Sequence, residues 1–241
     1  MTVVSLFPDL EPGVDLPAPV VTGKGKRATM AAAGLYGDEG DASRTLDGNF
    51  FPTPYEATRA ILRSLGTYGA GPVWWPLEEL DWWEPACGEG HICRVIEERL
   101  PGRIFATDLI GRGFGTPGVD FTTAAWPDGA DPERTAIFTN PPYERHLCPA
   151  FIRHALEDLG ALRVGMLLKA TYWHAIERQG LFADHPPAGI YPLTWRLDFT
   201  GAGSPALETA WMIWDKTAPA SPWPPTCPLV KGSDTASLFG E

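Results

Sequence analysis

Residues 81–91 read Asp-Trp-Trp-Glu-Pro-Ala-Cys-Gly-Glu-Gly-His, a short apolar run that leads into a turn with two glycines. The run predicts a buried strand over residues 80–84, and the apolar spacing of residues 92–100 predicts a helix after the turn. Gly88 and Gly90 allow the backbone to pass close to a ligand, and the amino end of a helix attracts a carboxylate. The segment therefore predicts a strand–turn–helix unit with a ligand at the turn.

The surrounding sequence alternates short apolar runs with helix-like stretches. This alternation is typical of a doubly wound, mostly parallel sheet with helices on both faces. We expect further strands at 103–108, 135–140 and 163–168, a closing pair at 196–199 and 210–214, and helices at 55–65 and 149–159. The sequence thus predicts an α/β domain over residues 49–216.

The two ends of the chain differ from this central region. Residues 1–48 are rich in Gly, Pro, Ala and acids without an apolar period, which favours a flexible arm because such a segment cannot offset its ordering entropy. Residues 217–228 contain five prolines and favour an extended, unpacked chain. We therefore predict an arm at 1–48 and a Pro-rich tail at 217–241.

Composition and charge limit the kinds of protein that this chain can be. No apolar run approaches the roughly 20 residues that span a bilayer, and residues 1–11 carry acids where a signal peptide carries lysines. The net charge of -11 disfavours a protein that holds DNA with its whole surface, because neutralisation of phosphates dominates that affinity. We expect a cytoplasmic protein without membrane contact, whose contacts with nucleic acid are local.

The metal-binding residue types show no metal-site pattern. The four cysteines have neither the close pairs of a zinc site nor the density of a disulfide scaffold, which fits a reducing compartment. His146 and His154 lack an accompanying acid or cysteine pattern, so we expect surface or helix-capping residues rather than ligands. The sequence predicts no metal.

A second polar motif lies directly after an apolar run. It reads Asn140-Pro141-Pro142-Tyr143, in which two prolines stiffen a turn. The Asn140 side chain and a backbone carbonyl fixed by proline can each accept a hydrogen bond from a planar amine, and Tyr143 can stack on the ring that carries it. A rigid turn with an Asx cap is the alternative, but ligands bind at the carboxyl ends of strands in such sheets. The motif therefore indicates a site for an amino group on a planar ring.

An acid at the end of the second predicted strand indicates the class of ligand. Asp108 follows Gly88 by about twenty residues, where an acid in a doubly wound fold accepts hydrogen bonds from both hydroxyls of a ribose. The turn lacks the third glycine of the dinucleotide fingerprint and fits a ligand without pyrophosphate better than NAD. Together these features predict a nucleoside cofactor.

The three motifs together resemble a known family. Residues 140–143, preceded by residues 84–90 and by Phe-Phe-Pro-Thr-Pro at residues 50–54, look like the motifs of amino-methylating DNA adenine methyltransferases whose cofactor motif precedes the catalytic motif. The resemblance covers residues 49–216. It implies a seven-stranded, Rossmann-like class I methyltransferase fold and direct transfer of a methyl group from S-adenosyl-L-methionine to the 6-amino group of adenine. The partner it implies is DNA, either a duplex with a flipped adenine or a single strand.

The resemblance also implies roles for single residues. The residues implied to bind the cofactor are Phe51, Thr53, Pro54, Glu84, Gly88, Gly90, Asp108, Asp120 and Phe121, with Asp108 on the ribose and Asp120–Phe121 against the adenine. The residues implied to be catalytic are Asn140, Pro141, Pro142 and Tyr143. The implied reaction uses no metal and no covalent enzyme intermediate, and depends on the positioning of the amine.

Relatives with their own sequence specificity carry a target-recognition segment, for which this chain has little room. Residues 169–209 are the one candidate, because they combine cations with aromatic side chains suited to backbone contact and base stacking. Lys169, Trp173 and Arg196 are the candidate substrate-binding residues. The alternative is a loop and helix that only cover the sheet edge. The recognition sequence is then short or relaxed, or a partner protein supplies the specificity, as in compact enzymes of this kind from phage genomes.

Other substrates and a non-catalytic role remain open from the sequence. The same motif serves enzymes that methylate bases in RNA or a glutamine amide in release factors, although the amide enzymes usually carry a folded helical domain ahead of the cofactor motif. Cytosine is a further candidate, but relatives that act on it more often have serine at the position of Asn140. The acidic charge also leaves open a nucleic-acid-binding scaffold on a methyltransferase fold that has lost catalysis.

Overall fold

A seven-stranded sheet with helices on both faces forms the domain. The computed structural model describes residues 50–144, 146–199, 207–219 and 224–231. The arm predicted at 1–48 lies outside the described residues. Each helix in the described part of the chain is too short or too polar to cross a bilayer.

Strands and helices alternate along most of the chain. The strands are β1 (Asp81–Glu84), β2 (Ile104–Asp108), β3 (Thr116–Pro117), β4 (Thr135–Thr139), β5 (Arg163–Lys169), β6 (Gly189–Pro192) and β7 (Thr209–Asp215). The helices are α1 (Tyr55–Gly66), α2 (His91–Glu97), α3 (Leu147–Arg153), which continues as a π-helical turn at His154–Asp158, and α4 (Gln179–Asp184). Short 3-10 turns occur at Leu77–Glu79, Ala170–Trp173 and Ile176–Arg178.

The sheet has the order β3-β2-β1-β4-β5-β7-β6. The first five of these strands are parallel, and β7 runs antiparallel to both β5 and β6. The chain therefore reverses its direction of winding between β1 and β4, where Trp83 is paired with Ile137. At such a switch point the loops after two neighbouring strands diverge and leave a crevice at their carboxyl ends. This confirms the predicted doubly wound, mostly parallel fold.

Two consecutive tryptophans place β1 at the centre of the sheet. The Trp82 ring packs edge-on against Phe138, with ring centroids 5.6 Å apart, and Phe138 stacks on Trp211 at 4.4 Å. Trp83 points to the opposite face and packs against Phe121 at 5.2 Å. Because successive side chains of a strand alternate between faces, a strand with both rings buried must be covered on both sides.

Most of the predicted elements are confirmed, but the predicted closing pair is wrong. Residues 210–214 belong to β7, whose partners are β5 and β6, while Leu197 makes only an isolated bridge to Leu207. The strand that was missed, β6, ends in Pro192 and follows two further prolines, so its sequence reads as a loop. A proline is tolerated there because an edge strand does not need every backbone N–H for the ladder.

The end of the described chain packs against this edge. Ile190 donates its backbone N–H to the Pro225 carbonyl oxygen at 2.9 Å, and Leu229 donates to the Pro192 carbonyl oxygen at 2.8 Å. The Leu229 side chain is 4% exposed. The prediction of an unpacked chain at 217–228 is therefore wrong for residues 224–228. An extended, proline-rich backbone suits this place because it presents its hydrogen-bonding groups to one neighbour only.

Candidate active site

A cleft opens at the carboxyl ends of β1, β2 and β4, at the switch point of the sheet. The described residues that line it are Phe50, Phe51, Pro52, Thr53, Glu84, Ala86, Cys87, His91, Ile92, Asp108, Leu109, Ile110, Arg112, Asn140, Pro141, Pro142, Glu144 and Leu147. The fold thus brings the three sequence motifs and Asp108 to one place. Pro54 does not line the cleft and instead precedes the first residue of α1.

The Asn140 side chain is held in one orientation by segment 50–54. Its Nδ2 donates to the Phe51 carbonyl oxygen at 3.2 Å and to Thr53 Oγ1 at 3.0 Å. Because a carbonyl can only accept, the nitrogen of the amide must face Phe51. Among the residues that the structure describes, the buried Oδ1 has no hydrogen-bond partner. A buried acceptor without a donor costs about 1–3 kcal/mol, so this atom is suited to an N–H group of a ligand.

Glu84 places a buried carboxyl group at the same cleft. The residue is 3% exposed and accepts a hydrogen bond from the Cys93 thiol, with 3.5 Å between Sγ and Oε2. Burial raises the pKa of Glu84 well above its ordinary value, and the nearby Asp108 carboxylate raises it further. The hydrogen bond from the Cys93 thiol partly opposes this rise in the pKa. A neutral carboxyl at this place becomes a strong partner for a cationic ligand group once it ionises.

The two glycines of the turn are required by their backbone conformation and by their neighbours. Gly88 and Gly90 have φ values of +53° and +82°, which other residues adopt only with strain. A Cβ atom on Gly88 would lie 2.3 Å from the Phe50 ring, and one on Gly90 would lie 2.6 Å from the Phe114 ring. Aromatic side chains therefore approach both glycines closely, and the predicted approach of a ligand stays a prediction.

Asp108 braces the turn and also lines the cleft. Its Oδ2 accepts from the Gly88 N–H and its Oδ1 from the Ile110 N–H, both at 2.8 Å. Each carboxylate oxygen has a second lone pair, so the group can still accept a hydroxyl. Leu109, which is 53% exposed, and Ile110 add apolar surface beside it. Sequence analysis missed these two residues, although an apolar pair after a strand-end acid is the signal that would have found them.

Asp120 and Phe121 lie outside the cleft lining. Phe121 is 2% exposed, and its ring packs 5.2 Å from Trp83 and 4.8 Å from Phe151 in the core. The Asp120 carboxylate accepts from the backbone N–H and the hydroxyl of Thr122. The contact with a cofactor adenine that the resemblance implies for these two residues stays a prediction.

Aromatic rings and a lysine surround Tyr143 next to Asn140. The Tyr143 ring lies 6.0 Å from Phe51 at an interplanar angle of 24° and 6.5 Å from Phe199 at 85°. The Lys169 ammonium lies 5.6 Å from the centroid of the Tyr143 ring. Burial raises the pKa of Tyr143 well above its ordinary value, so the phenol stays neutral. Sequence analysis missed Phe199, because residues 196–199 were interpreted as a strand.

The three candidate substrate-binding residues occupy different environments. Lys169, at the end of β5, is the one that contacts the catalytic motif. Trp173 is 37% exposed and packs on Phe182 at 4.1 Å, whereas Arg196 is paired with the Glu208 carboxylate. Residues 169–209 also contain strand β6, so they do not form a single connection outside the sheet.

His146 and His154 do not line the cleft. His154 is 7% exposed and bonds through its two ring nitrogens to the Asp158 carboxylate and the Ala124 carbonyl oxygen, both at 2.9 Å. His154 takes the C-cap position of α3, as one of the two predicted alternatives, but it is buried rather than at the surface, whereas His146 is exposed at the start of α3. Within the described ranges, no group of three or more His, Cys, Asp or Glu side chains is arranged to hold a metal ion.

Comparisons with solved structures identify the fold. A proposed class I S-adenosylmethionine-dependent methyltransferase from Listeria monocytogenes superposes with a TM-score of 0.52 at 10% identity, over 83% of this chain and 71% of that chain. A proposed RNA methyltransferase from Pyrococcus horikoshii gives a TM-score of 0.50 at 13% identity, over 77% and 95%. These likenesses show that the chain has the class I methyltransferase fold.

A larger protein shares part of this fold. The methyltransferase subunit of a type I restriction-modification system from Streptococcus thermophilus gives a TM-score of 0.46 at 13% identity, over 69% of this chain. The match covers 45% of that subunit, so the chain spans less than half of its length. No protein-family model matches the sequence, and no curated protein sequence matches it significantly.

Proposed function

We propose that the protein transfers a methyl group from S-adenosyl-L-methionine to the 6-amino group of adenine in DNA. The observation that carries this proposal is the buried Asn140 Oδ1, an acceptor without a partner among the described residues, at the carboxyl end of β4. An acceptor held in this way selects ligands that donate N–H, as an exocyclic amine does. The class I methyltransferase fold supports methyl transfer as the reaction.

The residues of the cleft fit the parts of S-adenosyl-L-methionine. Glu84 suits its cationic amino acid end, Asp108 suits the ribose hydroxyls, and Leu109 with Ile110 offers apolar surface to the planar base. Phe51 and Thr53 close the same cleft from segment 50–54. When bound, the cofactor supplies a methyl group on a positively charged sulfur. The protein itself holds the cofactor, orients the target amine and excludes water from the cleft.

The catalytic motif orients the amine of the target. The Pro142 carbonyl accepts from the Cys148 thiol at 3.2 Å, and we assign the second acceptor to the Pro141 carbonyl, which directly follows Asn140 in the cleft lining. Asn140 Oδ1 and this carbonyl then accept the two amine hydrogens. An aromatic amine is a weak nucleophile because its lone pair is delocalised into the ring, and two acceptors in fixed positions turn that lone pair toward the methyl donor. Catalysis is thus mainly positioning.

A nucleobase suits the surroundings of Asn140 better than a flexible amide. Tyr143, Phe51 and Phe199 offer aromatic faces and edges, and Lys169 adds a positive charge for the phosphodiester backbone. Extraction of a base from a duplex costs about a few kcal/mol, and stacking on an aromatic ring restores about 1–3 kcal/mol of it. These contacts support a flipped or single-stranded adenine as substrate.

The test uses isotope-labelled S-adenosyl-L-methionine with unmethylated genomic DNA and, in parallel, total RNA. Products are digested to nucleosides and identified by mass spectrometry. We expect labelled 6-methyladenine from DNA with the wild type and none with Asn140→Ala, because the variant lacks the amine acceptor. Asn49→Ala is the matched control, since Asn49 is the only other asparagine of the chain. A fully active Asn140→Ala protein would overturn the proposal.

Calorimetry of cofactor binding separates the remaining alternatives. We expect Asn140→Ala to bind S-adenosyl-L-methionine within a few-fold of the wild type, because the lost Oδ1 is assigned to the substrate. Label in RNA alone would move the substrate to RNA, and label in neither with intact binding would point to a protein amide. Absence of cofactor binding in the wild type would favour a non-catalytic scaffold.

A further inference from the structure

Thr53 has a buried hydroxyl that does not cap helix α1, although the residue lies just before that helix. A threonine just before a helix commonly caps it, but α1 begins at Tyr55 with Pro54 in the cap position and without a side-chain capping hydrogen bond. Thr53 is 4% exposed, and its Oγ1 accepts from Asn140 Nδ2 at 3.0 Å. The hydroxyl of segment 50–54 is therefore directed at the catalytic motif.

We propose that Thr53 is a positioning residue that locks the Asn140 amide with its acceptor side toward the target amine. This inference rests on the proposed function, in which Asn140 Oδ1 receives that amine. It differs from the cofactor-binding role that the family resemblance implies for Thr53.

The lock follows from counting donors and acceptors on the amide. Nδ2 has two hydrogens, and its two acceptors are the Phe51 carbonyl oxygen at 3.2 Å and Thr53 Oγ1 at 3.0 Å. With both hydrogens used, the atom that the amide leaves for a ligand is Oδ1. A rotation by 180° would place Oδ1 against the Phe51 carbonyl, where two acceptors repel each other. The site therefore offers an acceptor and rejects ligands that present a carbonyl at this point.

Asn140 lies between the end of β1 and segment 50–54, since Glu84 at the end of β1 and both Phe51 and Thr53 line the same cleft. Without the Thr53 hydroxyl, one amide hydrogen loses its partner, and the direction of Oδ1 depends on the Phe51 carbonyl alone. Loss of a fixed direction lowers the rate of transfer more than it weakens binding.

The kinetic test compares Thr53→Val, which removes the hydroxyl at equal volume, with Thr53→Ser, which keeps it. At saturating cofactor we expect the kcat of Thr53→Val to fall about five- to tenfold, the loss of one neutral hydrogen bond, while the Kd of the cofactor stays within about twofold. Thr53→Ser should keep at least half of the kcat. A cofactor Kd raised tenfold in Thr53→Val with unchanged kcat would overturn the inference and assign Thr53 to the cofactor instead.

A second test reads the amide directly and needs no activity. Asn49 and Asn140 are the only asparagines in the chain, so labelling with 15N-asparagine gives two side-chain NH2 signals, which Asn140→Ala assigns. We expect the Asn140 NH2 protons to exchange slowly with solvent in the wild type and in Thr53→Ser, and one of them to shift and exchange faster in Thr53→Val. Identical Asn140 signals in Thr53→Val and the wild type would overturn the lock.

The kinetic test and the NMR test distinguish a failure of the proposed function from a failure of the positioning role. If no substrate accepts a methyl group, the proposed function fails, while the NMR comparison still decides whether Thr53 holds the amide. If transfer occurs and Thr53→Val is as fast as the wild type, the proposed function stands and the positioning role fails. Thermal unfolding of both variants checks that the fold is intact.

Discussion

Glu84 is the residue whose charge depends most on the fold. Its carboxyl is buried beside the Cys93 thiol, and burial raises its pKa well above the ordinary value. A raised pKa means that the folded state binds the proton more tightly than the unfolded chain does. The stabilisation is then fully present below the ordinary carboxyl pKa and is lost as the pH rises through the raised value.

We predict that Glu84→Gln removes this loss of folding stability with rising pH. As the pH rises above the ordinary carboxyl pKa, the unfolding free energy of the ligand-free wild type should decline, and that of Glu84→Gln should decline less, because an amide does not ionise. Urea unfolding at several pH values measures both. Glu89→Gln is the matched control, since Glu89 is exposed in the adjacent turn, and it should follow the wild type. An equal decline in Glu84→Gln would contradict the assignment.

The positions of Asn140 and Asp108 were predictable from local sequence. Asp108 ends β2 and Asn140 directly follows β4, so the strand prediction alone places both at the cleft. Phe199 and Thr53 contact residues that are distant in the sequence, and no local pattern encodes such contacts. The family resemblance implies that Phe121 lies at the cofactor, whereas its ring packs against Trp83 in the core.

At the scale of elements, the edge of the sheet departs most from expectation. A run of prolines lowers β-propensity, and for this reason the sequence of residues 224–231 reads as a tail. In the structure, one side of this proline-rich segment forms backbone hydrogen bonds with β6, and the other side needs no partner. Central strands such as β4 and β5 were predictable because burial on both faces gives them apolar runs.

We predict that Leu229→Ala lowers the unfolding free energy by about 2 kcal/mol, as removal of a buried leucine side chain does at a site that can partly collapse. The adjacent Val230 is 74% exposed, so Val230→Ala is the matched control and should change stability by less than about 0.5 kcal/mol. Denaturant unfolding followed by circular dichroism measures both. Equal stabilities of the two variants would mean that the segment does not pack in solution.

At the scale of the whole molecule, charge limits how the proposed DNA substrate can be held. The net charge of -11 repels phosphate, so attraction to DNA would have to come from local groups near the cleft. Lys169 lies beside Tyr143, and the Arg178 guanidinium lies 4.0 Å from the centroid of the Tyr172 ring. Burial lowers the pKa of Lys169, and the positive charge of Arg178 contributes to the same effect.

We predict that Lys169→Gln and Arg178→Gln each reduce the salt dependence of DNA binding. The slope of log affinity against log salt concentration should become shallower by about 1 for each phosphate that the variant no longer neutralises. Arg99→Gln is the control, because Arg99 is exposed beyond the end of α2 and does not line the cleft. Fluorescence anisotropy with a short DNA over a salt series measures the slopes. Unchanged slopes in both variants would place the phosphate-binding groups elsewhere.

Among the described residues, those that line the cleft all lie between Phe50 and Leu147, whereas Lys169 and Phe199, which border Tyr143, come later in the chain. The residues that we assign to the methyl donor thus precede residue 150, and two of those that we assign to the target, Lys169 and Phe199, follow it. A single recombination crossover near residue 150 could exchange this later stretch between related genes and leave the cleft intact. Under the proposed function, such an exchange would alter contacts with the target and keep the cofactor cleft and Asn140 unchanged.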